Sequence, residues 1–319
     1  MFILANCCGI VPPRLIGIPQ ILRQRTIQRY VHAIGTGVHS AKRVRMTLRP
    51  AGENAGIVFV RTDRGNAAVR AKAQNVCDTT LSTSIAEAGV RVATVEHLMS
   101  ALWGMGVDNL RVEIDAEEIP IMDGSSAPFV DLIRSAGLVE QSAEREFIRI
   151  KRSIRVTQGD GWARLDPFEG FGAAYTFEAD HPVYNRYPKR AIVNFAQTSY
   201  VDHVSWARSF GLVAELDQAH AINRCLGSSL HNAVGIDGNE ILNPEGLRYE
   251  NEFVTHKILD AIGDLYLLGR PVLGFFVGHK SGHAINNKLG QALLRCEDAW
   301  EIISAPTEDG VSTPEVRVS

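Results

Sequence analysis

Segments of two-residue and of 3.6-residue hydrophobic period follow one another irregularly along this chain, and that irregularity restricts the folds open to it. Val44-Arg45-Met46-Thr47-Leu48 and Leu110-Arg111-Val112-Glu113-Ile114 alternate as half-buried strands, Pro50 closing the first of them. Gly56–Val60 reads as a short apolar strand before the turn Asp63-Arg64-Gly65-Asn66. Val95, Leu98 and Leu102 lie three and four apart and predict a helix from Thr94, its expected N-cap, to Gly104 and Gly106. Ser126 and Pro128 open a second helix that ends at Gly137. Strands are expected from Phe147 to Val156, from Gly172 to Phe177 and from Pro271 to Val277, with Gly278–Gly282 as a loop. Long helices are expected from Asn251 to Leu268 and from His283 onward. Such a mixture without a regular βαβα beat indicates α+β layers rather than a doubly wound parallel sheet. Neither a G-x-G-x-x-G after a strand nor a P-loop occurs.

At 319 residues the chain suggests about two domains. Residues 1–23 read as an N-terminal extension without regular structure. Their first basic residue, Arg14, follows the apolar run instead of preceding it, unlike a signal peptide. Residues 24–143 are expected to form one α+β domain and 144–300 a second, joined at the polar stretch Glu140–Arg145, with 301–319 as a mobile tail. The net charge of −3 argues against a general nucleic-acid binder. No apolar run is long enough to span a bilayer. Five cysteines without C-x-x-C indicate neither a disulfide framework nor a cysteine zinc knuckle, which suits a reducing cytoplasm.

Four constellations can carry chemistry. His256, Asp260 and Asp264 recur every four residues and share a helix face. Imidazole and carboxylate at that spacing can grip zinc, or form a solvated stripe with His256 hydrogen-bonded to Asp260. Glu96-His97 pairs a potential metal ligand with an adjoining carboxylate that could reach a metal-activated water; a dipole-favoured first-turn Glu beside a half-buried His is the plainer alternative. H-E-x-x-H is absent, which disfavours a zinc peptidase. Gly278-His279-Lys280-Ser281-Gly282-His283 enters a helix N-terminus where Lys280 could pair with phosphate and His283 act as an acid, or it is a polar loop. Ser209-Phe210 sets a hydroxyl beside a ring and is weak alone.

Together, Thr94-Val95-Glu96-His97-Leu98, Ile121–Phe129 (IMDGSSAPF), Leu247-Arg248-Tyr249-Glu250, His256–Asp264 (HKILDAIGD) and Lys280–Lys288 (KSGHAINNK) closely resemble the UDP-3-O-acyl-N-acetylglucosamine deacetylases, zinc enzymes of bacterial lipid A synthesis. The resemblance runs in order from about residue 24 to 296. It implies two α+β domains, each a sheet layered with helices, with the active site between them. It implies one Zn²⁺ per chain, or Fe²⁺ in the cell, on His97, His256 and Asp260. Glu96 would be the general base, and His283, oriented by Asp264, the general acid. Ser209 stands where Thr is usual and would polarise the amide carbonyl. Phe210, Lys257 and Lys280 would contact the glucosamine and diphosphate, and His39 belongs to a matching glycine-rich motif. The stretch 211–234 would insert an apolar passage for the acyl chain, with Leu212, Val213, Leu216, Ala219 and Leu226 as its surface.

Three further positions depart from the family: Ala41 for Gly, Glu215 for Asp, and Ala179 for an aromatic that stacks on uridine. The expected partner is the UDP-sugar substrate alone, with no nucleic acid or membrane insertion, acting on a monomer. The alternatives are a related zinc amidase with altered nucleotide specificity and a catalytically silent UDP-acyl-sugar binding protein.

Overall fold

The computed structural model describes residues 22–304. The extension 1–21 and the tail 305–319 lie outside the described residues. Among the described residues the helices are α1 (Glu96–Met105), α2 (Ala127–Ala136), α3 (Tyr200–His203), α4 (Leu216–Ala221), α5 (Glu252–Tyr266) and α6 (His283–Arg295).

A five-stranded sheet is built from the first third of the chain in the order Val31–Thr36, Arg43–Pro50, Leu110–Ile114, Ile57–Arg61, Ala67–Arg70. Leu110, Val112 and Ile114 point inward while Arg111 is exposed, as the alternation requires. A seven-stranded mixed sheet occupies the second half around Val272–His279. That strand runs parallel to Phe147–Ile150 and to Phe171–Thr176, and antiparallel to Gly161–Asp166. Its near-continuous apolar run suits a strand flanked on both sides. Helices and sheets thus make an α+β architecture. α1 packs along α5, α2 covers α1 and the Val31–Thr36 strand, and α6 lies on the Ile154–Gln158 and Gly161–Asp166 hairpin. Leu98 and Leu102 of α1, Ile258 and Leu265 of α5, and inward residues of both sheets join one apolar cluster.

Several expectations change. The polar stretch Glu140–Arg145 carries regular structure: Leu138–Glu144 is a strand paired antiparallel with Arg23–Ile27, so polarity there marks an exposed two-stranded ribbon. Arg23, placed in the extension, begins that partner strand. The tail starts later than position 301, because Trp300–Ile303 pairs with Phe147–Ile150. The single strand expected from Phe147 to Val156 is two, broken at residues 151–153. The loop at 278–282 shortens to Lys280–Gly282, since the preceding strand runs on through His279. Thr94 is not a helix cap. Its φ is +58° and its hydroxyl donates to Glu118 Oε1 at 3.1 Å, while the Val95 N–H bonds the Thr83 carbonyl.

Candidate active site

α1 and α5 touch where glycine allows it. A Cβ on Gly263 would stand 2.0 Å from the Glu96 carbonyl oxygen, so only a residue without one lets the two backbones meet. That contact brings Glu96 and His97, in the first turn of α1, against Asp260 and Asp264 on α5. The residues sequence spacing placed on one face, His256, Asp260 and Asp264, are all buried.

His97, His256 and Asp260 converge, with one donor atom from each lying within 4.8 Å of the others. His97 Nε2 is 3.5 Å and His256 Nε2 3.4 Å from Asp260 Oδ1, too long for good hydrogen bonds. Asp260 Oδ1 is buried and has no hydrogen-bond partner among the described residues. The His256 Nδ1–H donates to the Ala207 carbonyl at 3.0 Å, which leaves its Nε2 lone pair facing Asp260. Burial drives the His256 imidazole down to about 3, against the pull of Asp260, so the ring is neutral. Lys257 Nζ donates to Asp260 Oδ2 at 2.9 Å and holds the carboxylate's other oxygen. Electron-rich atoms facing one another in a dry site repel unless a cation sits among them, and this N, N, O set fits a divalent metal.

Two further titratable groups flank this cluster. Glu96 is buried; its Oε2 accepts the Thr83 N–H at 3.0 Å, and its Oε1 is 3.8 Å from His283 Nε2. Burial pushes the Glu96 carboxyl up from its ordinary value, opposed by His283 and His97. His283 is the first residue of α6, and its Nδ1–H donates to Asp264 Oδ2 at 3.1 Å. Burial opposes its charge, yet the Asp264 and Glu96 carboxylates outweigh it and hold the imidazole up at about 10.

Glu96, His97, His256, Lys257, Asp260 and His283 line one wall of a cavity of about 610 Å³. Ser209, Phe210 and His39 line it too. Ser209 is placed by its backbone: its N–H donates to Gly124 O at 2.8 Å, and Val234 donates back to its carbonyl. The buried Arg208, paired at 2.8 Å with Glu252 at the start of α5, pins the same segment. Phe210 has the Lys257 ammonium 5.3 Å from its ring centre. His39 is buried and neutral, lowered to about 4 by burial. Its Nδ1 accepts the Cys225 N–H at 3.2 Å, and Nε2 is without a partner among the described residues. Lys280 is not in the lining; its ammonium pairs with Asp160. Asp264 stands behind His283. The insert supplies an apolar wall of Leu212, Leu216, Ala219 and the largely exposed Ile222, whereas Val213 and Leu226 are absent from the lining.

The sequence profile of the LpxC family, UDP-3-O-acyl N-acetylglycosamine deacetylase, matches residues 24–295. The chain belongs to this family. It is 52% identical over 285 residues to the UDP-3-O-acyl-N-acetylglucosamine deacetylase of Chromohalobacter salexigens, covering 89% of this chain and 94% of that protein. It is 50% identical over 284 residues to the enzyme of that name from Acidithiobacillus ferrooxidans, covering 89% and 93%. The Hahella chejuensis protein of the same name is 49% identical over 285 residues.

In this deacetylase-family chain, sequence reasoning missed two buried residues next to the site. Thr83, in an aperiodic Leu-Ser-Thr-Ser run, touches both Glu96 and Asp264. Glu118 accepts the N–H groups of His39 and Ser40, each at 2.9 Å, and the hydroxyl of Thr94. Neither carries a spacing signal, because their partners are far away in the chain. Asn286, which donates to Asp264 Oδ2 at 3.0 Å, lay inside a motif already singled out.

Proposed function

We propose that the chain hydrolyses the acetamide of UDP-3-O-acyl-N-acetylglucosamine, releasing acetate and UDP-3-O-acyl-glucosamine, the committed step of lipid A synthesis. The observation that carries this reading is the convergence of His97, His256 and Asp260, whose buried Oδ1 has no hydrogen-bond partner among the described residues, between Glu96 and His283 in one cavity. The names of the family and its relatives supply the substrate.

His97, His256 and Asp260 would hold zinc, which would supply Lewis-acid chemistry beside the acetyl carbonyl and the attacking water. Glu96 takes the proton of the attacking water, a role favoured by the raised basicity of its buried carboxylate. The Ser209 hydroxyl donates to the oxyanion that forms. As the C–N bond breaks, its electron pair goes to nitrogen, and His283 Nε2 delivers a proton there. Nε2 is the nitrogen available, because Asp264 holds Nδ1. The neutral His39 offers its Nε2–H to the substrate, Lys257 and Phe210 form the sugar-facing wall, and Lys280 meets the diphosphate by exchanging its Asp160 partner. The acyl chain lies against Leu212, Leu216, Ala219 and Ile222, each buried methylene contributing about 0.8 kcal/mol.

We place this activity in the cytoplasm and on a monomer. Cys77, Cys225 and Cys296 are free thiols, and no described helix is long and apolar enough to cross a membrane.

The test is acetate release together with metal content. Glu96→Ala is expected to retain metal and lose about 10²–10⁴-fold in turnover. His256→Ala is expected to lose metal and activity together. Full metal occupancy in His256→Ala, or loss of metal in Glu96→Ala, overturns the assignment.

A further inference from the structure

We propose that Thr83 is a positioning residue that keeps the proton-accepting and proton-donating sides of the site in register. The proposal rests on the roles given above to Glu96 and His283. Thr83 is fully buried between α1, α5 and α6, and every polar group it has is used toward them. Its carbonyl accepts the Val95 N–H at the threshold of α1, and its own N–H donates to Glu96 Oε2 at 3.0 Å. Its hydroxyl donates to Asp264 Oδ1 at 2.5 Å and accepts from Asn287 Nδ2 at 3.1 Å.

The division of labour within this one residue matters. The backbone holds the base and the side chain holds the partner of the acid. Asp264 has two oxygens to share among three donors. Oδ2 takes His283 Nδ1 and Asn286 Nδ2, and Oδ1 takes Thr83. A carboxylate bonded at both oxygens cannot rotate about its Cβ–Cγ bond without breaking one side. Thr83 therefore fixes the plane in which Asp264 meets the His283 ring, and through it the direction of His283 Nε2 toward the space beside Glu96. Asn287, on the same helix as His283, closes the loop by donating both to Thr83 and to the His283 carbonyl at 2.9 Å. A hydroxyl is needed because the position must donate and accept at once, which neither an ammonium nor a hydrocarbon can do.

Thr83→Val keeps the shape and the backbone N–H but removes the hydroxyl. It should lower kcat about 10–100-fold, the scale of a misaimed reacting group, with KM and metal content little changed. Thr83→Ser should restore most of the rate. In proton NMR, the downfield Nδ1 proton of His283, assigned by its absence in His283→Ala, should weaken in Thr83→Val and persist in Thr83→Ser. Should the valine variant be insoluble, Thr83→Ala removes the same hydroxyl and replaces it in the comparison. Wild-type kcat with an unchanged Nδ1 resonance in the variant lacking the hydroxyl overturns the proposal, as does an equal loss in Thr83→Ser. Glu96→Ala and His283→Ala assayed alongside report separately on the base and acid roles, and the Nδ1 resonance judges Thr83 whatever they show.

Discussion

At the scale of single residues the site works by assigning opposite fates to similar groups. His256 and His283 are both histidines with a carboxylate nearby. Burial dominates the first and keeps it neutral, whereas Asp264 and Glu96 together overcome burial at the second and keep it charged. A neutral imidazole can ligate a metal and a charged one can give a proton. The sign of the pH dependence follows. The acid function proposed for His283 requires the protonated ring, so it should persist through neutral pH and be lost as pH rises through the elevated value. Asp264→Asn removes the carboxylate that does most to raise that ring. The basic limb of kcat/KM should therefore move to lower pH in Asp264→Asn and vanish in His283→Ala. A profile recorded from acid to alkaline pH reads both shifts, and an unmoved limb in Asp264→Asn would detach it from His283.

At the scale of elements the decisive contact is the crossing of α1 and α5. Glycine in a helix interior costs about 1 kcal/mol relative to alanine, so Gly263→Ala should stabilise α5 if propensity ruled. Here the added methyl meets the Glu96 carbonyl at 2.0 Å, and backbone cannot yield as a side-chain tip can. Overpacking costs typically 1–3 kcal/mol or more, and it outweighs the propensity gain. Gly263→Ala should unfold at lower denaturant concentration and bind metal more weakly, because His97 moves away from Asp260. A variant more stable than wild type, with undiminished metal affinity, would show that the helices need not approach so closely. The helices themselves were readable from their apolar spacing. The tightness of their crossing was not, since a helical glycine gives no hint of what lies opposite.

At the scale of the whole molecule the proposed ligand set ties distant chain segments together. His97 follows the first sheet's early strands in sequence, and His256 and Asp260 precede the central strand of the second sheet. A metal on all three binds only the folded chain, so it stabilises by mass action, about 4 kcal/mol at a thousandfold excess over Kd. At roughly 2–4 °C per kcal/mol for chains of 150–250 residues, stripping the metal with a chelator should lower Tm by about 10 °C. His97→Ala should unfold at the same temperature with and without chelator. A chelator shift that survives His97→Ala would place the stabilising metal elsewhere.

Sequence alone determined what depends on nearby residues. The strand at Leu110–Ile114 was visible in its alternation and α5 in its spacing; His256 with Asp260 was visible because four residues is one helical turn. Glu96-His97 and His283 stood out locally as separate constellations, and the resemblance carried by the motifs joined them to that pair. Tertiary structure decided what depends on partners remote in sequence. The polar run at Glu140–Arg145 became a strand because Arg23–Ile27 lay ready to pair with it. Thr94 turned from cap to tether because Glu118 stood within reach of its hydroxyl. Thr83 gained its place because three helices from far-separated segments meet around it. Local pattern encodes which face of an element is apolar, but a buried hydrogen bond is specified only by whichever group the fold carries to the other end of it.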